Sequence, residues 1–143
     1  MTETQQEKNK QTVRKAIAAF NQQDLNLFWS FHTEDTTSHE VYFPEPLTKA
    51  QMSEFVPGLW HSYPDWNIET INMIAQDNVV VVENIMTATF VNDDGALKAT
   101  GRIFSVRECV FFEFQGDKIK DVRVFLDRQQ QEEQLGTNTS IGS

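Results

Sequence analysis

The sequence is short of cysteine and of long apolar runs, and each shortage excludes a class of protein. Cys109 is the only cysteine, so no internal disulfide can form, and no Cys/His spacing suggests a metal site. The longest aliphatic run, residues 79–82, is far below the roughly 18 residues that span a bilayer. The opening MTETQQEKNKQ lacks the apolar segment of a secretion signal. We therefore expect a soluble, unprocessed protein of the cytoplasm, without a membrane partner.

Positive charge is also scarce, because 12 Lys and Arg face 21 Asp and Glu and the net charge is −9. Long-range repulsion would oppose binding to nucleic acid or to an anionic membrane surface, so we expect neither partner. The sequence contains no G-x-S-x-G elbow and no glycine-rich phosphate loop. Serine-hydrolase chemistry and phosphate binding of that type are therefore not expected.

Aromatic side chains, by contrast, are plentiful, with eleven Phe, three Trp and two Tyr among 143 residues. A chain of this length buries roughly two thirds of its unfolded surface, and each aromatic side chain can bury roughly 150–250 Å². The composition predicts a globular domain that can line a binding cavity as well as fill a core.

Helical patterns dominate the first 60 residues. The spacing of Val13, Ile17 and Phe20 predicts an amphipathic helix over about residues 4–22. Asp24 is placed to cap a short second helix, LNLFWSFH, and we expect its Phe28 at the mouth of a cavity.

A strand and a third helix follow in the pattern. SHEVYF, residues 38–43, predicts a strand that two prolines end. Thr48 and Gln51 form a capping-box pattern, which predicts the start of a helix at Thr48. Trp60 lies at the end of that helix and Trp66 follows shortly after it. Both are candidates for lining the cavity, with packing in the core as the alternative.

From residue 66 onward the pattern is β-rich. Four runs, WNIETINMIA, NVVVVENIMTATFV, LKATGRIFSVRECVFFEF and KIKDVRVFL, are separated by QDN, NDDG and QGDK, which are typical of hairpin turns. Helices first and strands afterwards predict an α+β domain with helices packed on one face of a curved, mainly antiparallel sheet. The small polar residues 137–143 predict a flexible tail, which leaves 1–136 as a single domain.

With this order of elements the sequence resembles the SnoaL-like polyketide cyclase family of the nuclear transport factor 2-like superfamily. The resemblance covers most of the chain and implies a cone of helices and bent sheet around a pocket. It also implies a small apolar oxygenated ligand, polyketide- or terpenoid-like, and a homodimer paired through the sheet. The residues that carry it are YPDW at 63–66, DNVVV at 77–81, TGRIFSVRE at 100–108, FFEFQGDKIKDV at 111–122, and Asp127 followed by QLG at 134–136.

The resemblance also implies a reaction and its residues. Family members that cyclise polyketides use an acid near the end of the last strand as general acid/base for an intramolecular aldol condensation, without metal or organic cofactor. Asp127 matches that acid, and His39 matches a histidine often found on the first strand. Two departures remove polar groups that relatives carry: Phe90 replaces the histidine of GTHTG, and Val122 with Arg123 replaces HW on the last strand.

Asp127 also has a structural interpretation, because Asp is a preferred N-cap and Gln130 completes a capping-box pattern. As a base near neutral pH, it would need burial to dominate its pKa. Strand alternation places Arg123, Phe125 and Asp127 on one face. If that face lines the cavity, Arg123 would hold Asp127 ionised and stabilise an enolate, and Phe125 would contact the substrate. Otherwise Arg123 is a solvated charge.

Glu108 and Glu113 lie on opposite faces of the longest strand because their separation is odd, so only one can face the cavity. Glu108 shares its face with Phe112 in an otherwise apolar row. An isolated acid in such a row is either functional or at the edge of the sheet. We assign Glu108 and Phe112 to the substrate-binding face.

Three functional hypotheses follow. The first is a cofactor-independent cyclase or isomerase in which Asp127 takes a proton next to a carbonyl, while His39 or Arg123 stabilises the oxyanion. The second is water activation of the kind used by limonene-epoxide hydrolases, with Asp121, Arg123 and Asp127. The third is a ligand-binding or oligomerisation module without catalysis, which the missing family histidine and the many aromatic side chains support. For His39 itself, the alternative to a catalytic role is a histidine that is merely hydrogen-bonded at the start of a strand.

Overall fold

A computed structural model describes residues 3–137, which form four helices and a six-stranded sheet. The sheet has the order β2-β1-β6-β5-β4-β3, in which β1 and β6 are parallel and the other neighbours antiparallel. The elements are α1 (Glu3–Asn21), α2 (Leu25–Trp29), β1 (His32–His39), β2 (Leu47–Thr48), α3 (Lys49–Ser62), β3 (Asn67–Gln76), β4 (Val79–Thr89), β5 (Ile103–Gln115), β6 (Lys118–Leu126) and α4 (Arg128–Leu135).

The predicted α+β architecture is confirmed, with the N-terminal helices packed on one face of a curled sheet. Register shifts, which bend and twist a strand, interrupt three of the pairings. They lie between His32 and Thr37, between Thr70 and Asn72, and between Glu113 and Phe114. The resulting curvature lets the inner face of the sheet wrap around side chains from the helices.

The predicted start of α3 is confirmed by its hydrogen bonds. Thr48 Oγ1 accepts from the Gln51 amide at 3.2 Å, and Gln51 Oε1 accepts from the Thr48 amide at 2.9 Å. Two of the amide groups that a helix start leaves unpaired are thereby satisfied, which fixes where α3 begins and which face it turns to the sheet.

The second helix and the first strand differ from the prediction. α2 ends at Trp29 rather than at His32, because Ser30 closes the last turn. β1 covers His32–His39, whereas the sequence predicts a strand over 38–43. Pairing with β6, a segment some eighty residues away, decides where β1 begins. Local propensity does not contain that information.

The fifth strand also begins later than predicted, at Ile103 rather than at Leu97. The Phe90 amide donates to the Arg102 carbonyl at 3.0 Å, and the Gly101 amide donates to the Phe90 carbonyl at 2.9 Å. Gly101 adopts a φ of 71°, which a residue without Cβ tolerates. The connection from β4 to β5 is therefore a long loop rather than a tight hairpin.

Two apolar clusters fill the space between the helices and the sheet. One surrounds α3 and contains Tyr63, Phe90 and Phe104. The other lies under α1 and contains Val13 and Phe112. Within residues 3–137, no helix is long and apolar enough to cross a membrane. Apart from Thr137, the predicted flexible tail lies outside the described residues, and the domain boundary at 136 stays a prediction.

Candidate functional site

A cavity of about 110 Å³ lies where the two apolar clusters meet. Its volume is several times the roughly 10–15 Å³ that a single water molecule requires, so it has space for a small molecule. Helices α1 to α3 form one side of the cavity, and the inner faces of β1, β4, β5 and β6 form the other. Its wall is mostly apolar and includes Phe20, Phe28, Met52, Met86, Phe112 and Leu126.

A second cavity of about 350 Å³ lies beside α4 and is adjacent to the first. The two cavities share Tyr42, Phe55, Leu59 and Trp66 in their walls. The second cavity is larger, but the carboxyl groups with raised pKa values, those of Glu40 and Glu108, lie on the wall of the first. The smaller cavity is therefore the candidate reaction site.

Two carboxyl groups, those of Glu40 and Glu108, line the smaller cavity. Glu108 is 5% exposed, and burial raises its pKa to about 7. The hydrogen bond from Asn84 opposes this rise, whereas the negative charge of Glu40 adds to it. Glu40 is half-buried as a residue, but its carboxyl group is enclosed, and this raises its pKa against the hydrogen bond from Ser38. The cavity thus holds an acid that exchanges its proton near neutral pH.

Glu108 lies inside the fold and Glu113 on the outer face of the sheet, which confirms the prediction that the two face opposite ways. Asn84 is the direct partner of Glu108 in the register of β4 and β5, and its Nδ2 donates to Glu108 Oε1 at 3.0 Å. The Thr70 hydroxyl donates to Asn84 Oδ1 at 2.8 Å. This second bond fixes the amide orientation, so that the Asn84 NH₂ group faces the carboxyl group.

The strand register also brings Glu40 and Glu108 to the same end of the cavity. Glu40 follows His39, which pairs with Arg123 on β6. Three residues further along β6, Leu126 pairs with Glu108 on β5. Both carboxyl groups therefore lie at the C-terminal end of β6, and the electrostatic interaction between them agrees with this placement.

Asp127 lies outside the cavity. Its side chain is exposed, and its Oδ1 accepts a hydrogen bond from the Gln130 amide at 3.0 Å, which caps α4. The structure contradicts the cavity-facing orientation on which the general-base prediction depends. The N-cap interpretation of Asp127 is confirmed.

Asp127 lies outside the cavity because the opposite face of β6 lines it, with Val122, Val124 and Leu126 pointing inward. Strict alternation also fails at Ile119, which is fully buried although it has the same parity as the outward-facing residues. Ile119 pairs with Phe114 and Asp121 pairs with Glu113, so Lys120 is an extra residue on β6. Such a bulge turns the side chains of the residues before it to the opposite face of the sheet.

His39 and Arg123 lie on the outer face of the sheet, around Asp121. His39 Nε2 is 3.0 Å from Asp121 Oδ1, and Arg123 Nη1 is 2.6 Å from Asp121 Oδ2 and 3.5 Å from Glu113 Oε1. Burial would raise the pKa of Asp121, but hydrogen bonds from Thr37 and Arg123 and the charge of His39 lower it overall. These residues form a surface ion-pair network rather than a site around an enclosed ligand.

The proposed set for water activation is not assembled, because Arg123 pairs with Asp121 while Asp127 caps α4. Among the predicted substrate-binding residues, the structure places Phe28, Trp66, Glu108 and Phe112 on the cavity wall. Trp60 is not on that wall; it is buried in the core, with its ring 5.1 Å from that of Phe20. Phe125 is 55% exposed on the outer face.

Sequence reasoning missed Glu40, although alternation offered a signal. Glu40 has the opposite parity to His39, so an outward His39 implies an inward Glu40. Tyr42 was also missed; its hydroxyl donates to Gln131 of α4 at 2.8 Å, and burial raises its pKa. Within residues 3–137, no three His, Cys, Asp or Glu side chains are grouped so that they could hold a metal ion.

The fold is that of nuclear transport factor 2-like proteins, as the sequence resemblance implies. The sequence matches the family model of SnoaL-like polyketide cyclases over residues 10–135, and the chain therefore belongs to this family. Among curated proteins, none matches this sequence.

Several solved structures share the fold. AclR from Streptomyces galilaeus, a candidate hydroxylase, is 19% identical over 92% of this chain and 87% of that one, with a TM-score of 0.81. A candidate polyketide cyclase from Xanthomonas campestris pv. campestris is 21% identical over 92% of this chain and 98% of that one, with a TM-score of 0.84. A candidate SnoaL-like polyketide cyclase from Jannaschia sp. CCS1 is 14% identical over 96% of this chain and 97% of that one, also with a TM-score of 0.84. Identities this low establish the fold alone.

Proposed function

We propose that the protein is a cofactor-independent enzyme of the cyclase or isomerase type that moves a proton next to a carbonyl group of a small, mostly apolar substrate. The observation that carries this proposal is the Glu108 carboxyl group, which is enclosed in an apolar cavity and has a pKa of about 7. A general base works best when its pKa lies near the working pH. Membership in the SnoaL-like polyketide cyclase family supports the same reaction class.

The two carboxyl groups take different roles in this reaction. Ionised Glu108 removes the proton from the carbon next to the carbonyl, and the electron pair of that C–H bond moves into an enolate. Glu40 acts through its negative charge, which adds to the rise in the pKa of Glu108 and so makes Glu108 a stronger base once it is ionised. Glu108 then returns its proton to the product.

Asn84 positions the base. Its NH₂ group donates to one carboxylate oxygen of Glu108, while the Thr70 hydroxyl holds the amide in place. This bond favours the ionised form of Glu108 and partly offsets the effect of burial. A carboxylate that is held at one oxygen presents the other to the substrate in a fixed direction.

Deuterium exchange tests this proposal without knowledge of the natural substrate. Small cyclic ketones and a β-diketone are incubated with the protein in D₂O, and loss of their α-proton signals is followed by NMR. We expect exchange that accelerates as the pH rises through about 7, because Glu108 must be ionised. Glu108→Gln should lower the rate by about 10²–10⁴-fold, the usual contribution of a general base.

Two variants serve as controls in the exchange experiment. Glu113→Gln removes a carboxylate from the outer face of the same strand and should retain the rate. Asp127→Asn should also retain it, because Asn caps a helix about as well as Asp. Loss of exchange in Asp127→Asn together with full exchange in Glu108→Gln would refute the assignment of the base to Glu108.

The alternative is a small-ligand-binding module without catalysis. The position at which relatives carry a histidine is occupied by Phe90, which is fully buried and stacks on Tyr63 at 5.0 Å. That position contributes to packing and offers no polar group to a substrate. A ketone that binds saturably but exchanges no protons in the wild type would favour this alternative.

We also propose that two copies of the chain pair through the outer face of the sheet. The register aligns Phe111 with Val81 and Val81 with Ile74, and Phe125 lies on the same face. Ile74 and Phe125 are exposed in the single chain, and a contiguous apolar patch of this kind is typical of an interface.

Sedimentation velocity at micromolar concentration should therefore show a dimer, and Phe125→Glu should shift it to monomer because a charge would be buried in the interface. Leu27→Glu, which alters an exposed residue of α2, should leave the dimer intact. A wild-type protein that sediments only as monomer would contradict the pairing.

A further inference from the structure

The N-terminal end of β1 contains polar atoms that the proposed reaction does not use. His32 and Thr36 are 6% and 4% exposed and both line the cavity. His32 Nε2 and Thr36 Oγ1 have no hydrogen-bond partner among residues 3–137. Buried polar atoms without a partner destabilise a fold, so such a pair on a cavity wall indicates a ligand contact.

The hydrogen bonding of the imidazole determines which chemical group it can accept. His32 Nδ1 is 2.8 Å from the carbonyl oxygen of Phe28, so Nδ1 carries the proton and donates to this oxygen. Nε2 is then left with a free lone pair and acts as an acceptor. Burial lowers the pKa of His32 to about 4, and the charges of Lys49 and Lys118 act in the same direction, while the Phe28 bond opposes them. The ring is therefore neutral at physiological pH.

The irregular register of β1 brings the two polar residues together. His32 pairs with Ile119 and Thr37 pairs with Asp121, so five steps along β1 span two steps along β6. Two steps correspond to about 7 Å on an ideal strand. The bulge thus places Thr36 close to His32 and turns both toward the cavity, which is a common use of bulges at binding sites.

This polar pair lies at the opposite end of β6 from the two carboxyl groups. His32 is beside Ile119 at the start of β6, whereas Glu108 is beside Leu126 at its end. Between them, β6 contributes the apolar side chains of Val122 and Val124 to the wall. Thr37 and Ser38 of β1 also line it, but their hydroxyl groups already donate to Asp121 and Glu40. A ligand that contacts both ends needs polar groups at two separate positions.

We propose that His32 and Thr36 bind a hydroxyl group of the substrate, which donates to His32 Nε2 and accepts from Thr36 Oγ1. Resting on the proposed function, this inference defines the substrate class as a hydroxylated carbonyl compound. The hydroxyl group lies remote from the carbonyl at which Glu108 acts, and the carbon frame between them is apolar. His32 thus selects the substrate and fixes its direction in the cavity.

Phenol and toluene test this inference, because they have nearly the same shape and differ in a hydroxyl group. Their dissociation constants are measured by NMR titration for the wild type, for His32→Phe and for His61→Phe. The Phe28 carbonyl still accepts from the Phe31 amide at 3.3 Å in His32→Phe, so the variant leaves no new unpaired group. Circular dichroism verifies that each variant is folded.

The ratio of phenol affinity to toluene affinity should fall roughly tenfold or more in His32→Phe, because the bound hydroxyl loses its acceptor. His61 is an exposed residue at the end of α3, and its variant should leave the ratio unchanged. Phenol, but not toluene, should also shift the ¹⁵N resonance of His32 Nε2 in the wild type.

An unchanged ratio in His32→Phe, an identical ¹⁵N response to both probes, or no saturable phenol binding to the wild type would overturn the inference. The ratio does not depend on proton transfer, so Glu108→Gln should preserve it. Failure of the exchange experiment with a normal ratio would refute the proposed reaction alone, and the reverse result would refute the hydroxyl site alone.

Discussion

Glu108→Gln is expected to be more stable than the wild type by about 3 kcal/mol at pH 8.5 and equally stable at pH 4. The pKa of Glu108 is about 7 in the folded protein and 4.5 for the same group without the fold. Below pH 4.5 the carboxyl group is protonated in both states and resembles glutamine. Between pH 4.5 and 7 only the unfolded chain releases the proton, so the stability of the wild type falls as the pH rises.

Above pH 7 the Glu108 carboxyl group is ionised in both the folded and the unfolded state, and the loss of stability no longer changes with pH. A shift of one pKa unit corresponds to about 1.4 kcal/mol, which gives the difference of about 3 kcal/mol in this window. Glutamine carries no charge at any pH and escapes the loss. Urea unfolding at pH 4, 6 and 8.5 measures the difference. Glu69→Gln, an exposed carboxylate on β3, is the matched control and should follow the wild type. Parallel curves for wild type and Glu108→Gln would show that Glu108 is not desolvated.

Phe104→Ala is expected to destabilise the fold by about 3–5 kcal/mol, the usual cost of removing a fully buried Phe side chain. Phe104 is 0% exposed, and its ring lies 5.3 Å from that of Trp66 and 6.1 Å from that of Tyr63. Such a loss is a large fraction of the roughly 5–15 kcal/mol by which a domain is stable.

The matched control for Phe104 is Phe43→Ala. Phe43 is 37% exposed and its ring lies 5.1 Å from that of Phe55, so its loss should cost about 1 kcal/mol. Thermal and urea unfolding, followed by circular dichroism, compare the two variants. Equal losses of stability would indicate that the aromatic cluster around Phe104 is not tightly packed.

Features that depend on local sequence were predictable. The strand at 118–126 has the predicted bounds, Thr48 and Gln51 form the predicted capping box, and Glu108 and Glu113 face opposite ways. Each of these follows from the spacing of a few neighbouring residues. For Asp127 the local signal was also sufficient, since Asp followed by Gln130 predicts the N-cap that the structure has.

The cavity-facing side of β6 was not predictable in the same way. Alternation divides a strand into two faces, but it does not say which face the helices cover. The apolar row of Val122, Val124 and Leu126 was the better guide, because burial of apolar surface decides the orientation of a strand. Glu40 was missed because His39 was assigned to the cavity face, and the outward facing of His39 is set by its pairing with Arg123 on the distant strand β6.

The parallel pairing of β1 with β6 has a consequence for the order of folding during synthesis. Apart from its short contact with β2, β1 has no strand neighbour until β6 has left the ribosome. Loop closure over so long a segment carries an entropy cost before any contact compensates for it. In a nascent chain, His32 on β1 and Glu40 just after it therefore lack their neighbours on β6 until residues 118–126 have been synthesised, and the ligand site can form only then.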